Sequence, residues 1–124
     1  MTLKKLPYML TVAKYDGIPK RLEGFYSLSV GEGEISLVAE TTKLPEGYLA
    51  REDGWCAMMV VGPLDFSLVG ILAELSSVLA EQGIPLFAIS TYDTDYLLVK
   101  NDRFEAAVAA LVEKGYEVEG SGNQ

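Results

Sequence analysis

An α+β sandwich is what three features of this sequence predict. Leu68, Ile71, Leu72, Leu75, Val78 and Leu79 recur at the helical period of about 3.6 residues, and Phe104, Val108 and Leu111 repeat that spacing later in the chain. Short apolar or alternating stretches of strand length stand before, between and after them, each bounded by glycine, proline or aspartate. With 124 residues, the length suits one compact unit, or two very small modules sharing a core.

Taken in order, Leu6 to Tyr15 alternates in part and reads as a strand that ends at the turn signal Asp16-Gly17. Ile18 to Gly24 contains Pro19 and is too short for a standard helix. Phe25 to Val30 and Glu34 to Glu40 form a hairpin across Gly31-Glu32-Gly33. Thr41 to Gly54, with mixed charge, proline and two glycines, reads as a connection, and Trp55 to Val61 as the fourth strand. The first helix follows Ser67 and stops at Gly83, with Pro85 beyond it. Pro85 to Thr91 and Tyr96 to Lys100 make a second hairpin. Asn101 or Asp102 is placed to cap the second helix, with Glu105 in capping-box position after Asp102; Gly115 ends that helix and Tyr116 to Glu119 closes the chain as a short strand. The second half thus runs strand, helix, strand, strand, helix, strand. That is the ferredoxin-like βαββαβ order, with both helices on one face of an antiparallel sheet.

Composition excludes several kinds of chemistry. Histidine is absent, so one chain holds no Ser-His-Asp or Cys-His arrangement, no imidazole proton shuttle and no Cys/His zinc site. The single cysteine, Cys56, lies among apolar neighbours and reads as a buried thiol, not a nucleophile. A catalytic role is disfavoured, and neither cofactor nor metal is expected. The 18 acidic residues outnumber the 10 basic ones, for a net charge of −8, which argues against nucleic acid or an anionic membrane as partner. No run of apolar residues is long enough for a signal peptide or a membrane span, so the cytoplasm is the expected location.

The stretch with the most chemical content is Gly62-Pro-Leu-Asp-Phe-Ser-Leu-Val-Gly70-Ile71, which carries the chain from a strand to a helix N-terminus. Such an N-terminus offers unpaired backbone N–H groups and about half a positive charge, which suits a carboxylate or phosphate. Gly70 in the first turn is a poor helix former, and calls for close approach of a ligand or of another backbone, or for helix packing.

An internal repeat relates the two halves. Phe25 to Val38 falls on Leu86 to Val99 at a shift of 61, matching Ser29 to Ser90, Leu37 to Leu98, and the turn acids Glu32 and Glu34 to Asp93 and Asp95. The first strand matches at a shift of 49, with Met9 on Met58 and Asp16 on Asp65; the 12 residues of difference fall where the second half has its first helix. Residues 1–54 are therefore expected to be a degenerate repeat lacking that helix, 55–120 the complete one, and 121–124 a frayed tail. A sheet without its helix exposes an apolar face, which the other repeat, the Thr41 to Gly54 connection or a second copy of the chain would have to cover.

Asp65-Phe-Ser-Leu-Val-Gly70-Ile-Leu-Ala, Ser77-Val-Leu-Ala-Glu-Gln-Gly83-Ile and Phe87-Ala-Ile-Ser-Thr-Tyr-Asp-Thr-Asp95-Tyr-Leu-Leu-Val99 together resemble the ACT domain family. More narrowly they resemble the tandem ACT proteins related to the CASTOR arginine sensor and to aspartate kinase regulatory domains. The strong part covers Trp55 to Glu119. The resemblance implies a ferredoxin-like regulatory protein that holds a small effector, commonly an amino acid, at an interface between modules. It points to Asp65, Ser67, Val69, Gly70 and Ile71 in the loop and Thr91, Tyr92 and Asp95 in the hairpin as ligand-binding positions.

These residues are chemically suited to an amino acid. Backbone N–H groups around Val69 to Ile71 suit its carboxylate, Asp95 or Asp65 its ammonium, and Tyr92 its side chain, with an acidic site favouring lysine or arginine. The plainer alternatives are helix capping for Asp65 and Ser67 and a solvated turn for Asp93-Thr94-Asp95. The expected function is an allosteric amino-acid sensor, assembled as a homodimer and read by a regulated protein partner. The alternative is an ACT-fold oligomerisation or docking module without a ligand.

Overall fold

The computed structural model describes residues 2–61 and 70–120. Among them are eight strands, β1 (Thr2–Lys5), β2 (Leu10–Tyr15), β3 (Tyr26–Gly31), β4 (Glu34–Glu40), β5 (Ala50–Val60), β6 (Phe87–Ser90), β7 (Asp95–Lys100) and β8 (Glu117–Glu119), and two α-helices, α1 (Ile71–Glu81) and α2 (Phe104–Glu113). The chain divides into two compact units, a split unit of Met1–Pro7 with Cys56–Gln124 and an internal unit of Tyr8–Trp55. The expected frayed tail at 121–124 lies outside the described residues.

In the split unit the strand order is β8-β1-β5-β7-β6. Strand β1 is antiparallel to β5, with Leu3 opposite Val60, and parallel to β8, with Leu3 opposite Val118. It therefore occupies the place beside β5 that the βαββαβ order by itself gives to β8. The sequence reading places no strand at Thr2–Lys5, because four residues containing two lysines show no periodicity. The structure supplies the reason for pairing: Leu3 is fully buried, and the Lys5 ammonium lies 4.7 Å from the ring centre of Phe104.

Both helices turn their apolar stripes to one core. Leu75, Val78 and Leu79 of α1 and Phe104, Ala107, Ala110 and Leu111 of α2 cluster with Leu3, Cys56, Met58, Val60, Leu97 and Val99 from the strands. The two helices end alike. Gly83 at φ +69° donates to the Ala80 carbonyl and Ile84 to that of Leu79; Gly115 at φ +100° donates to Val112 and Tyr116 to Leu111. Each is a Schellman motif, with buried Ile84 and Tyr116 set against buried Leu79 and Leu111. The expected capping box at α2 does not form: Asn101–Arg103 is a 3-10 turn, and the cap residue Arg103 makes no side-chain capping bond. The Phe104 amide instead donates to the Asn101 carbonyl within that turn.

The internal unit has the order β3-β4-β2-β5 and contains no α-helix. Its hairpin closes with Gly31 opposite Glu34 across Glu32-Gly33, whereas the β6–β7 hairpin closes with Ser90 opposite Asp95. One turn is two residues longer than the other, so the ungapped shift of 61 does not carry both hairpins in register. Strand β5 begins at Ala50, inside what reads in sequence as a connection; Ala50 to Asp53 are exposed, and only main-chain pairing with β2 reveals them as strand.

The apolar face of this unit is covered from within. Ala13, Tyr15, Leu37 and Ala39 are buried under Leu22, Leu44 and Tyr48, so the segments before β3 and after β4 do what a helix would do. Polar bonds hold those segments. The Tyr15 hydroxyl donates to the Pro45 carbonyl at 2.7 Å, and the Glu40 carboxylate accepts from the Phe25 amide at 2.8 Å. Fully buried Thr11 donates its one hydroxyl proton to Asp53 at 2.7 Å, so Thr41, 2.8 Å away, donates to Thr11.

Two substitutions test these contacts. Gly115→Ala forces an L-residue to φ +100° and should destabilise the protein by about 1 kcal/mol in a urea titration. The Tyr116 hydroxyl donates to the Glu74 carboxylate of α1, and desolvation first, then this bond, pushes its pKa up to about 12. Because the folded phenol holds its proton above the ordinary value of 10.0, its stabilisation is intact below that pH and is lost as pH rises towards 12. Tyr116→Phe should cost about 1–2 kcal/mol at neutral pH, and the gap from wild type should close between about pH 10 and 12 in parallel titrations.

Candidate functional site

The residues expected from sequence fall in the split unit, in the loop before α1 and in the β6–β7 hairpin. Strand β7 starts where β5 finishes, and the Thr94 hydroxyl donates to the Val60 carbonyl. The hairpin turn is thereby tied to the last residue of β5, next to the point from which the chain leaves for α1. Asp65, Ser67 and Val69 fall at 62–69, outside the described residues.

At the far side of that loop Gly70 is the N-cap of α1, with φ +82° and ψ 0°, and its carbonyl accepts from the Glu74 amide at 2.8 Å. Sequence placed this glycine in the first turn; its position one residue earlier, in the left-handed region, is what requires glycine. Among the described residues no atom lies within 4 Å of where its Cβ would stand, so its backbone angle and not crowding is what calls for glycine. The amides of Ile71, Leu72 and Ala73 have no acceptor within the helix and form its positive end. Ile71 itself is half-buried against the core.

The hairpin turn is Thr91 to Thr94, and Asp95 is the first residue of β7, one position earlier than the expected strand start. Thr91 ties the turn: its amide donates to the Thr94 carbonyl at 2.8 Å, and its hydroxyl accepts from the Thr94 amide at 3.2 Å. Asp95 is half-buried and accepts a 2.6 Å bond from the hydroxyl of Ser90, its cross-strand neighbour. Tyr92 stands at the tip, 80% exposed.

Of the eight expected ligand positions, the structure thus describes Gly70, Ile71, Thr91, Tyr92 and Asp95. Two further residues shape the same end: Ser90, which orients the Asp95 carboxylate, and Thr94, which anchors the turn. The repeat match of Ser29 to Ser90 was the signal for the first; the second had none, because its acceptor is a main-chain carbonyl 34 positions away.

Chemically, the groups described are the free amides at the start of α1 and, in the hairpin, the Asp95 carboxylate. Cys56 takes no part: its buried thiol donates to the Val99 carbonyl at 3.7 Å, and desolvation pushes its pKa up, away from the reactive thiolate. Among the described residues no group of three His, Cys, Asp or Glu side chains could hold a metal ion. On the internal unit, a groove of about 440 Å³ is lined by Lys14, Tyr15, Asp16, Val30, Ile35 and Leu49 among others, beside the β3–β4 turn. Asp16 there is the residue that the internal repeat sets on Asp65.

Comparison with known proteins places this geometry. The ACT domain sequence model matches residues 50–113. The cytosolic arginine sensor for mTORC1 subunit 1 of Bos taurus is 34% identical over 94 residues, which are 70% of this chain and 29% of that protein; the Homo sapiens protein matches equally. The chain therefore spans under a third of the length of these curated relatives. A crystal structure of a protein from Agobacterium tumefaciens superposes with a TM-score of 0.85 at 28% identity, covering 99% of this chain and 96% of that one. The regulatory subunit of aspartate kinase from Thermus thermophilus gives a TM-score of 0.64 at 12% identity, over 90% of this chain and 95% of that one, a likeness of fold alone. No helix among the described residues is long and apolar enough to cross a membrane. With its βαββαβ core, its glycine-capped α1 and a family match over 50–113, this chain belongs to the ACT domain family.

Proposed function

We propose that the protein is an amino-acid-binding regulatory protein acting in the cytoplasm, without catalytic activity of its own. The observation that carries this reading is the Thr94–Val60 bond, which fixes the hairpin turn at the end of β5 from which the chain runs to α1. The ligand's carboxylate would take the positive end of α1 beside Gly70, and its ammonium the carboxylate of Asp95, held by Ser90. Asp65, Ser67 and Val69 would complete the site, with Thr91 and Tyr92 at its rim. A named arginine sensor among the relatives, and a net charge of −8, favour a ligand with a cationic side chain.

In this reading residues 55–120 act as the complete ACT domain and 1–54 as a degenerate partner, and the ligand sits where the loop and hairpin meet a second module. Binding would then favour one arrangement of modules in a homodimer and alter the surface that a regulated protein reads.

Thermal unfolding of the purified chain in the presence of each of the twenty amino acids tests the reading. Arginine or lysine should raise the midpoint, by an amount equivalent to about 2.7 kcal/mol at a hundredfold excess over Kd. Asp95→Ala should keep the apo midpoint within about 2 °C and weaken that ligand tenfold or more. Absence of a shift with all twenty would overturn it.

A further inference from the structure

Glu74 is the acidic residue in the first turn of α1, four positions after the Gly70 cap. Its amide closes that turn on the Gly70 carbonyl at 2.8 Å, whereas the amides of Ile71, Leu72 and Ala73 have no acceptor within the helix. In a helix every Cα–Cβ bond tilts towards the N-terminus, so an unrestrained glutamate here lies back over the turn that carries those amides. Opposite charge draws it there, which is why acids in a first turn normally stabilise helices. Glu74 is a built-in rival for any carboxylate brought to the same place.

The rival is held. The Tyr116 hydroxyl donates to a carboxylate oxygen of Glu74. Tyr116 is in no position to follow a wandering side chain, because its ring is buried in the core shared by both helices and its amide is bonded to the Leu111 carbonyl at 3.1 Å. Gly115, left-handed at φ +100°, sets the chain on that path. The Schellman cap that ends α2 thus delivers a phenol to the first turn of α1.

We propose that Tyr116 is a positioning residue of the amino-acid site: by holding the Glu74 carboxylate, it keeps the first-turn amides of α1 open to the carboxylate of the ligand. This role rests on the ligand site proposed above. A single charge near a helix end changes binding there by about twofold to fivefold, which is the size of effect at stake.

A brace that merely steadies the two helices would behave differently. Loss of a brace weakens binding whatever charge residue 74 carries, and salt does not restore it. Release of a competitor weakens binding only while that residue is charged, and salt relieves the loss, because Glu74 is exposed.

Calorimetric titration with arginine at neutral pH, beside amide hydrogen exchange of the ligand-free protein, tests the proposal on Tyr116→Phe, Glu74→Gln and the double variant. Tyr116→Phe should weaken arginine about threefold, and the loss should shrink below about twofold at about 1 M salt. Glu74→Gln, whose amide oxygen still accepts from Tyr116, should bind at least as tightly as wild type; added to Tyr116→Phe, it should restore wild-type affinity within about twofold. Without ligand, the Leu72 and Ala73 amides should exchange about threefold more slowly in Tyr116→Phe but not in the double variant, because the released carboxylate accepts from them. A double variant as weak as Tyr116→Phe, a threefold loss in Glu74→Gln, or unchanged exchange in Tyr116→Phe would each overturn it. If Tyr116→Phe proves unfolded by circular dichroism, Glu74→Gln decides alone. A wild-type protein that binds no arginine overturns the proposed ligand site instead, and the exchange comparison then decides whether Tyr116 holds Glu74 off the amides.

Discussion

Neither helix of this protein is long enough to persist alone in water, so the burial of their apolar stripes on the sheet of the split unit is the interaction on which the rest depends. Leu75, Leu79 and Leu111 reach zero exposure against Met58, Val60, Leu97 and Val99. Each such side chain contributes on the order of 2 kcal/mol when withdrawn from water. That core holds α1 against β5 and β7, and the strand order then sets the hairpin turn beside the end of β5. The hairpin turn is tied to this core through Val60, whose side chain is buried in the cluster and whose carbonyl accepts from Thr94.

The internal unit reaches stability by another route. With no α-helix, it covers Leu37, Ala39 and Tyr15 with Leu22, Leu44 and Tyr48, whose segments have no regular hydrogen-bond ladder of their own. The main-chain groups of such segments must be satisfied by other means. Tyr15 takes the Pro45 carbonyl, Glu40 the Phe25 amide, and the Thr11–Thr41–Asp53 chain joins β2 to the segment after β4. Gly24 belongs to the same device. Its φ is +69°, a left-handed angle that favours glycine, and a Cβ there would crowd the Glu40 carboxylate that serves Phe25.

In the β6–β7 hairpin the important distinction is between groups that hold the turn and a side chain that brings charge to it. Thr91 and Thr94 are occupied with the turn and with Val60; their hydroxyls set geometry. Asp95 is an acidic side chain beside them, and the Ser90 hydroxyl restricts its orientation. A carboxylate held in this way and a helix N-terminus have opposite electrostatic sign, the combination a zwitterion needs.

Much of this was legible in the sequence, because periodicity and turn chemistry are local. The spacing of Leu75, Val78 and Leu79 defines the buried side of α1, and Gly83 and Gly115 stop the helices where only a left-handed residue allows a Schellman cap. The absence of histidine removes a class of catalysis, and the loop and hairpin motifs carry the family. What only the tertiary structure decided are long-range pairings that leave no periodic trace. Thr2–Lys5 is a strand because Leu3 finds Val60 and Val118 on either side, and Ala50 to Gly54 because β2 offers a ladder to an exposed, charged stretch. The α2 capping box gave way to a 3-10 turn, in which the Phe104 amide takes the Asn101 carbonyl. Gly70 illustrates the boundary: sequence determined that a glycine had to stand at the start of α1, and the fold alone decided that the reason was its backbone angle, φ +82° at the cap, a quantity set by where the packed helix begins.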